Sequence, residues 1–144
     1  MTVQEIMTSD PQCCTPDTRL QQVGRMMSEC DCGSIPVVED SNSMRAIGVI
    51  TDRDIVVRVI ASGQDCREAT VEQAMTSSVV TTRPDEDILE AEGAMKEHQI
   101  RRIVVTDEDG RCVGILAQAD IARHRSEMET GDVVEMISEP VGAF

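Results

Sequence analysis

The chain has 144 residues and a formal net charge of -14, and its hydrophobic content of 40% includes a single aromatic residue, Phe144. This length fits one domain, or two small halves that share a core built from aliphatic side chains and Met. The acidic charge argues against sequence-independent binding to nucleic acid or to an anionic membrane, and no apolar run reaches the ~20 residues of a membrane span.

The first half of the chain predicts a short helical lead followed by a strand, a helix, two strands and a closing helix. The lead ends at Met7-Thr8, and Pro16-Asp17 begins the first long helix. The predicted bounds are 12–15, 34–39 and 45–50 for the strands and 52–61 for the closing helix. Because the N-terminal residues lack the basic start and apolar core of a signal peptide, we expect a cytoplasmic location.

An internal repeat organises the rest of the chain. The stretch 3–8 returns as 71–76 at an offset of 68, and after a turn that is two residues shorter, Gly48 matches Gly114 at an offset of 66. The second half therefore predicts the same elements, with strands at 79–82, 102–107 and 111–116 and a last helix at 118–125. The apolar faces of the two long helices are formed by Leu20, Val23, Met26 and Met27 in the first copy and by Ile88, Ala91 and Met95 in the second.

Two copies of ~60 residues, each too small for a stable core of its own, predict one shared domain. We expect an α+β fold in which two β-α-β-β-α repeats pack sheet to sheet with pseudo-twofold symmetry. The predicted boundaries are 1–62 for repeat 1, 63–70 for a linker, 71–125 for repeat 2 and 126–144 for an acidic, partly helical tail. In that tail Val133, Val134 and Ile137 offer an apolar face to the body or to a partner.

The stretch 48–56 reads as a buried strand that runs directly into a helix. Thr51 and Asp54 have the spacing of a capping box, and a helix start with spare amides also suits an anionic group. The second copy keeps the acid as Asp120 but has Ala117 in place of Thr51. An acid kept without its hydroxyl partner has no obvious benefit for a cap alone, so this comparison favours a ligand role for the first copy.

These residues resemble the cystathionine-β-synthase (CBS) domain family, and two such domains in tandem resemble a Bateman module. The resemblance rests on the lead Ile6-Met7-Thr8, the strand 34–38 and the Gly48 to Asp54 stretch, and it extends from Val3 to about His124. The chain is also similar to stand-alone bacterial CBS-pair proteins of the hypoxic-response type.

The resemblance implies a regulatory homodimer that binds AMP, ADP or ATP in a cleft between the repeats and needs no metal or other cofactor. In the first cleft, Thr51 and nearby amides would hold phosphate, Asp54 would bind the ribose, and the base would lie against Ile35 and Pro36. The implied nucleotide-binding residues of this cleft are Thr15, Pro16, Ser34, Ile35, Pro36, Thr51, Arg53 and Asp54. Those of a weaker second cleft are Ile103 and Asp120, with Arg101 and Arg102 supplying charge to phosphate.

Two alternatives stay open at this point. One is a dimeric interaction or scaffold module that needs no nucleotide. The other is a redox or metal sensor that uses Cys13, Cys14, Cys30 and Cys32, although their spacing is poor for structural zinc. The sequence contains no phosphate-binding Gly-rich loop, metalloprotease motif or nucleophile elbow, so we expect no enzyme.

Overall fold

The structure is a computed structural model that describes residues 1–129. A 3-10 turn at Val3–Glu5 opens the chain. The strands are β1 (Thr8–Ser9), β2 (Ser34–Val38), β3 (Ala46–Thr51), β4 (Thr81–Thr82), β5 (Arg102–Thr106) and β6 (Cys112–Ala117). The helices are α1 (Leu20–Cys30), α2 (Asp52–Ile55, continued by a π-helical turn at Val56–Ile60), α3 (Val71–Ala74), α4 (Ile88–His98) and α5 (Gln118–Glu129). The apolar residues predicted for the tail, Val133, Val134 and Ile137, lie outside the described residues.

Each repeat is built on one antiparallel hairpin, β2–β3 in the first and β5–β6 in the second. In the second repeat β4 adds to β5 in parallel. In the first repeat the predicted strand at 12–15 is reduced to a single parallel bridge between Cys14 and Val37. The strand stops there because the N–H of Thr15 donates to Thr18 Oγ1 at 3.0 Å, which turns the chain toward α1.

The N-terminal lead of each repeat is attached to the other repeat. Thr8 pairs with Ile115 on β6, and Thr76, its match at offset 68, pairs with Val49 on β3. The connections before these pairs also repeat, since Val3 donates to the carbonyl of Glu86 and Val71 to that of Thr18, both at 2.9 Å. This exchange produces the predicted pseudo-twofold arrangement.

Two glycines make room for the exchanged leads. A Cβ atom at Gly48 would lie 2.5 Å from the carbonyl oxygen of Thr76, and one at Gly114 would lie 3.0 Å from that of Thr8. In proteins a Cβ atom almost never lies closer than 3.0 Å to an atom outside its own residue and its two chain neighbours. Glycine at both positions therefore permits the backbone of one repeat to lie directly on the sheet of the other.

The core consists of one apolar cluster in each repeat and a smaller cluster between them. The long helices bury the faces predicted for them, except that Met26 is only partly buried. Full burial of each such aliphatic side chain contributes roughly 1.5–3 kcal/mol. The central cluster joins Val38 of β2 to Val104 of β5 and Cys112 of β6. Among residues 1–129, no helix is both long enough and apolar enough to cross a bilayer.

Candidate functional site

The first helix start forms a complete capping box. Thr51 Oγ1 accepts from the N–H of Asp54 at 3.0 Å, and Asp54 Oδ2 accepts from the N–H of Thr51 at 3.0 Å. Both residues are half-buried. The predicted reciprocal hydrogen bonds are confirmed, and each residue keeps one polar function that the cap does not use: the hydroxyl proton of Thr51 and the second carboxylate oxygen of Asp54.

The backbone amides of this helix start are occupied. The N–H of Asp52 donates to the carbonyl of Gly33 at 3.0 Å, and the N–H of Arg53 donates to Asp52 Oδ1 at 2.8 Å. The third amide, that of Asp54, is bound by Thr51. The expectation of spare amides for a phosphate therefore does not hold, and side chains must supply the donors, among them the exposed guanidinium of Arg53.

The second helix start keeps half of the capping box. Asp120 Oδ2 accepts from the N–H of Ala117 at 3.0 Å, so the acid caps the helix without the hydroxyl. Its other oxygen lies 3.4 Å from the guanidinium of Arg123 on the same helix. Retention of an acid here is thus explained by the cap alone, which removes one argument for a ligand that the sequence suggested.

The residues that face the two helix starts also differ. Across the hairpins, Ser34 pairs with Thr51 and Arg102 pairs with Ala117. The carbonyl of Arg101 accepts from the N–H of Gln118 at 2.9 Å, as that of Gly33 does from Asp52. The backbone of Arg101 and Arg102 therefore lies beside the second helix start.

Thr15 and Pro16 lie further along the first sheet. Cys14 bridges Val37, whereas Thr51 pairs with Ser34, so the two ends of the predicted site are separated by about 10 Å along β2, at ~3.3 Å per residue. Thr15 Oγ1 is already hydrogen-bonded to Asp17. A single ligand would have to be elongated to contact both Thr15 and Thr51.

Three residues predicted to contact the ligand lie in the protein interior. Ile35 and Ile103 are 2% and 1% exposed and belong to the cores of their respective repeats, and Pro36 is also buried. A base could reach these side chains only if the surrounding residues moved. Their position in the structure corresponds to a packing role.

Arg83 is a candidate that the sequence reasoning missed. It stands at the position that matches Thr15 at offset 68, immediately after β4. Its Nε atom is buried and has no hydrogen-bond partner within residues 1–129. Comparison of the two copies position by position would have identified this replacement of a hydroxyl by a cation.

The cysteines of the first half do not converge on one point. Cys30 and Cys32 form a disulfide with each other, and Cys13 contacts Cys112 instead. Burial raises the pKa of Cys14 to about 12, so this thiol stays protonated. Among the residues that the structure describes, no three His, Cys, Asp or Glu side chains are grouped so as to hold a metal ion.

Comparison with protein families gives two matches to the CBS domain model, at residues 3–61 and 71–127. Hypoxic response protein 1 of Mycobacterium tuberculosis is 34% identical over 140 residues, which cover 97% of this chain and 96% of that protein. The CBS domain-containing protein YhcV of Bacillus subtilis is 32% identical over 128 residues, which cover 89% and 88% of the two chains.

Solved structures share the same fold. A crystal structure of Hypoxic Response Protein I with two coordinated zinc ions superposes with a TM-score of 0.77 at 35% identity, covering 86% of this chain and 98% of that one. The crystal structure of CBSX2 in complex with AMP has a TM-score of 0.75 at 23% identity and covers 89% and 98%. The residues described for this chain do not fit a zinc site of three or more protein ligands.

Proposed function

The chain belongs to the CBS domain family, and from this premise we propose that it is a non-catalytic regulatory module that binds an adenosine-containing ligand, AMP, ADP or ATP, in its first cleft. A cytoplasmic location and assembly as a homodimer are part of the proposal. Binding regulates the protein if the ligand has different affinities for two arrangements of the repeats.

The observation that carries the proposal is that Thr51 and Asp54 each keep a polar group that the helix cap does not engage. The cap engages one oxygen of Asp54, so the other can accept hydrogen bonds from the two hydroxyls of a ribose. The hydroxyl of Thr51 accepts within the cap and can still donate to a phosphate oxygen. Arg53 adds a cation at the same helix start, where the helix dipole also favours an anion.

Two further observations support the proposal. Ser34, opposite Thr51, adds a second hydroxyl at the same edge of the hairpin. AMP is present in the crystal structure of CBSX2, a protein that shares this fold. At Asp120, by contrast, Arg123 competes for the oxygen that a ribose would need, so we propose that the second cleft binds an adenine nucleotide more weakly.

Calorimetric titration of the purified protein with AMP and with ATP tests the proposal. Loss of charge-assisted hydrogen bonds worth about 1.5–3 kcal/mol should make Asp54→Ala bind roughly ten- to a hundredfold more weakly. Asp120→Ala should change the affinity less than about threefold, because its oxygen is engaged by Arg123. Asp54→Asn is the matched folding control, because its amide oxygen can still accept from the N–H of Thr51.

A nucleotide-independent scaffold is the second candidate function. Val56, Val57 and Ile60 expose 53%, 50% and 54% of their surface on the helical segment after Thr51, an apolar face that supports pairing with a second copy of the chain. Absence of both heat and thermal shift at millimolar AMP and ATP, from protein that light scattering shows to be dimeric, would reject the nucleotide proposal in favour of the scaffold.

A further inference from the structure

Two cysteines from different repeats meet beside the pseudo-twofold axis. The lead of repeat 1 runs along β6, where the N–H of Asp10 donates to the carbonyl of Val113 at 3.1 Å. Three residues later this path brings Cys13 Sγ to 3.8 Å from Cys112 Sγ, although 99 positions separate the two in the sequence. The contact is thus a consequence of the exchanged leads.

The surroundings of the two sulfurs differ in their access to solvent. Cys112 is 6% exposed and belongs to the apolar cluster between the repeats. Cys13 is half-buried and lines an open pocket of about 470 Å³, together with Gln12, Gln22, Arg25, Met26 and Glu29. A small, uncharged oxidant can therefore approach the pair from the side of Cys13.

The hydrogen bond between the thiols shifts their pKa values in opposite directions. The S–H of Cys13 donates to Cys112 and holds the pKa of Cys112 below its usual range, while the same contact and burial raise the pKa of Cys13. Since the thiolate is the reactive form of cysteine, this contact favours Cys112 as the nucleophile of the pair, with Cys13 beside it as the proton donor on the side of the pocket.

We propose that Cys13 and Cys112 form a redox-modification site, at which a hydroperoxide joins the two repeats through a reversible disulfide. This site is distinct from the nucleotide cleft and requires no metal. It also differs from the grouping of Cys13, Cys14, Cys30 and Cys32 considered from the sequence.

The reaction proceeds in two balanced steps. The thiolate of Cys112 attacks one oxygen of hydrogen peroxide, so that an S–O bond forms, the O–O bond breaks, and the departing hydroxide takes the proton of Cys13 to become water. The thiolate of Cys13 then attacks the sulfenic acid at Cys112, so that the S–S bond forms and the S–O bond breaks. The second hydroxide takes up the proton that Cys112 had lost to solvent, and two thiols and one peroxide give one disulfide and two waters.

The required movement is small. The sulfurs must close from 3.8 Å to about 2.05 Å to form the disulfide. The symmetry-related positions are Thr81 and Ala46, which contain no sulfur. The fold therefore has a pair of cysteines at only one of these two equivalent positions. The other position shows that Thr and Ala can be accommodated there.

The test uses the full chain with Cys30→Ser and Cys32→Ser, which leaves the four free cysteines Cys13, Cys14, Cys66 and Cys112. After treatment with hydrogen peroxide and alkylation in denaturant, mass spectrometry should show alkylatable thiols falling from four to two and a peptide pair linked through Cys13 and Cys112. Because the fold holds the thiols together, the link should form about tenfold or more faster in native than in urea-unfolded protein.

Cys13→Thr and Cys112→Ala, which reproduce the residues of the other repeat, are the matched variants. Each should fold, as judged by an unchanged circular dichroism spectrum, and each should lose the linked peptide entirely. The proposal is overturned if native protein keeps all four thiols, if Cys14 or Cys66 is linked instead, or if linking is as fast in urea.

Discussion

The two helix starts of this protein share one backbone geometry and differ in what remains available for binding. Both acids accept the N–H three residues before them, Asp54 from Thr51 and Asp120 from Ala117, each at 3.0 Å. The second oxygen of Asp120 lies near Arg123, whereas the corresponding position in the first repeat is Val57. An acid at this position is therefore no evidence of a ligand, and only atoms outside the cap can distinguish a binding cleft from a structural one.

The same comparison extends to the rest of each repeat. The first helix start has the hydroxyl groups of Thr51 and Ser34 beside the cation Arg53, while the second has Ala117 and Arg102 at the positions of those hydroxyls. Arg83 in place of Thr15 continues this trend. The second repeat has therefore kept the fold and has cations at two positions where the first has hydroxyl groups.

The largest loss of stability is expected from substitution of Gly48 and Gly114, the two glycines on which the exchanged leads lie. Gly48→Ala should cost about 2–3 kcal/mol in the free energy of unfolding, because the new methyl group would lie 2.5 Å from a backbone oxygen that cannot move alone. Gly114→Ala should cost less, because the backbone oxygen of Thr8 is 3.0 Å away there and the closer contact, at 2.5 Å, is with the flexible side chain of Met7. Urea denaturation of both variants measures the difference, and equal losses would show that the two leads are held equally tightly.

A smaller effect is expected from exchanging the helix caps. Thr51→Ala should lower the free energy of unfolding by about 1 kcal/mol, and Ala117→Thr should raise it by up to about 1 kcal/mol, because Asp120 already makes the other half of the box. Thr51→Ser retains the hydroxyl and serves as the control. If Ala117→Thr destabilises the protein, the second helix start has no room for the cap that the first one uses.

The smallest effect concerns an ion pair found in the second repeat. Arg125 on α5 donates to both oxygens of Glu92 on α4, at 2.8 and 2.7 Å, and the matching positions in the first repeat are Val59 and Gly24. The hydrogen bonds from Arg125 lower the pKa of Glu92 from its ordinary value of 4.5. The pair therefore contributes stability above about pH 4.5, and this contribution is lost as the pH falls through the lower pKa of the folded state.

Thermal denaturation of the wild-type protein and Glu92→Gln between pH 3 and pH 7 checks this expectation. Wild type should melt slightly higher at neutral pH, and the two curves should converge as the solution becomes acidic. A constant difference across this range would mean that Glu92 contributes by packing alone and not by its charge.

Much of the fold could be predicted because it depends on local pattern and on repetition. The 3.6-residue spacing of Leu20, Val23 and Met27 identified the buried face of α1. The four hairpin strands were predicted to within one residue at each end, whereas β4 begins at Thr81, two residues later than predicted. The strand at 12–15 was overestimated because the turn at Thr15 depends on the side chain of Thr18, a contact that periodicity does not reveal.

The candidate site was harder to predict because it depends on which atoms are already bonded. Spacing identified the pair Thr51 and Asp54, but it could not show that the amides of Asp52 and Arg53 are occupied. Nor could it show that Ile35 and Pro36 of β2 are buried in the core and not exposed to a ligand. The contact of Cys13 with Cys112 depends on the exchange of leads, which no local signal announces.

That exchange also means that the repeat visible in the sequence is not a unit of folding. A fragment ending before Val71 would have β3 with no lead to cover Val49, and a surplus segment at Thr8 with no β6 to receive it. Both are unsatisfied strand edges, and such edges recruit another chain. Separate expression of the two repeats should thus give pieces that aggregate or pair by swapping their N-termini.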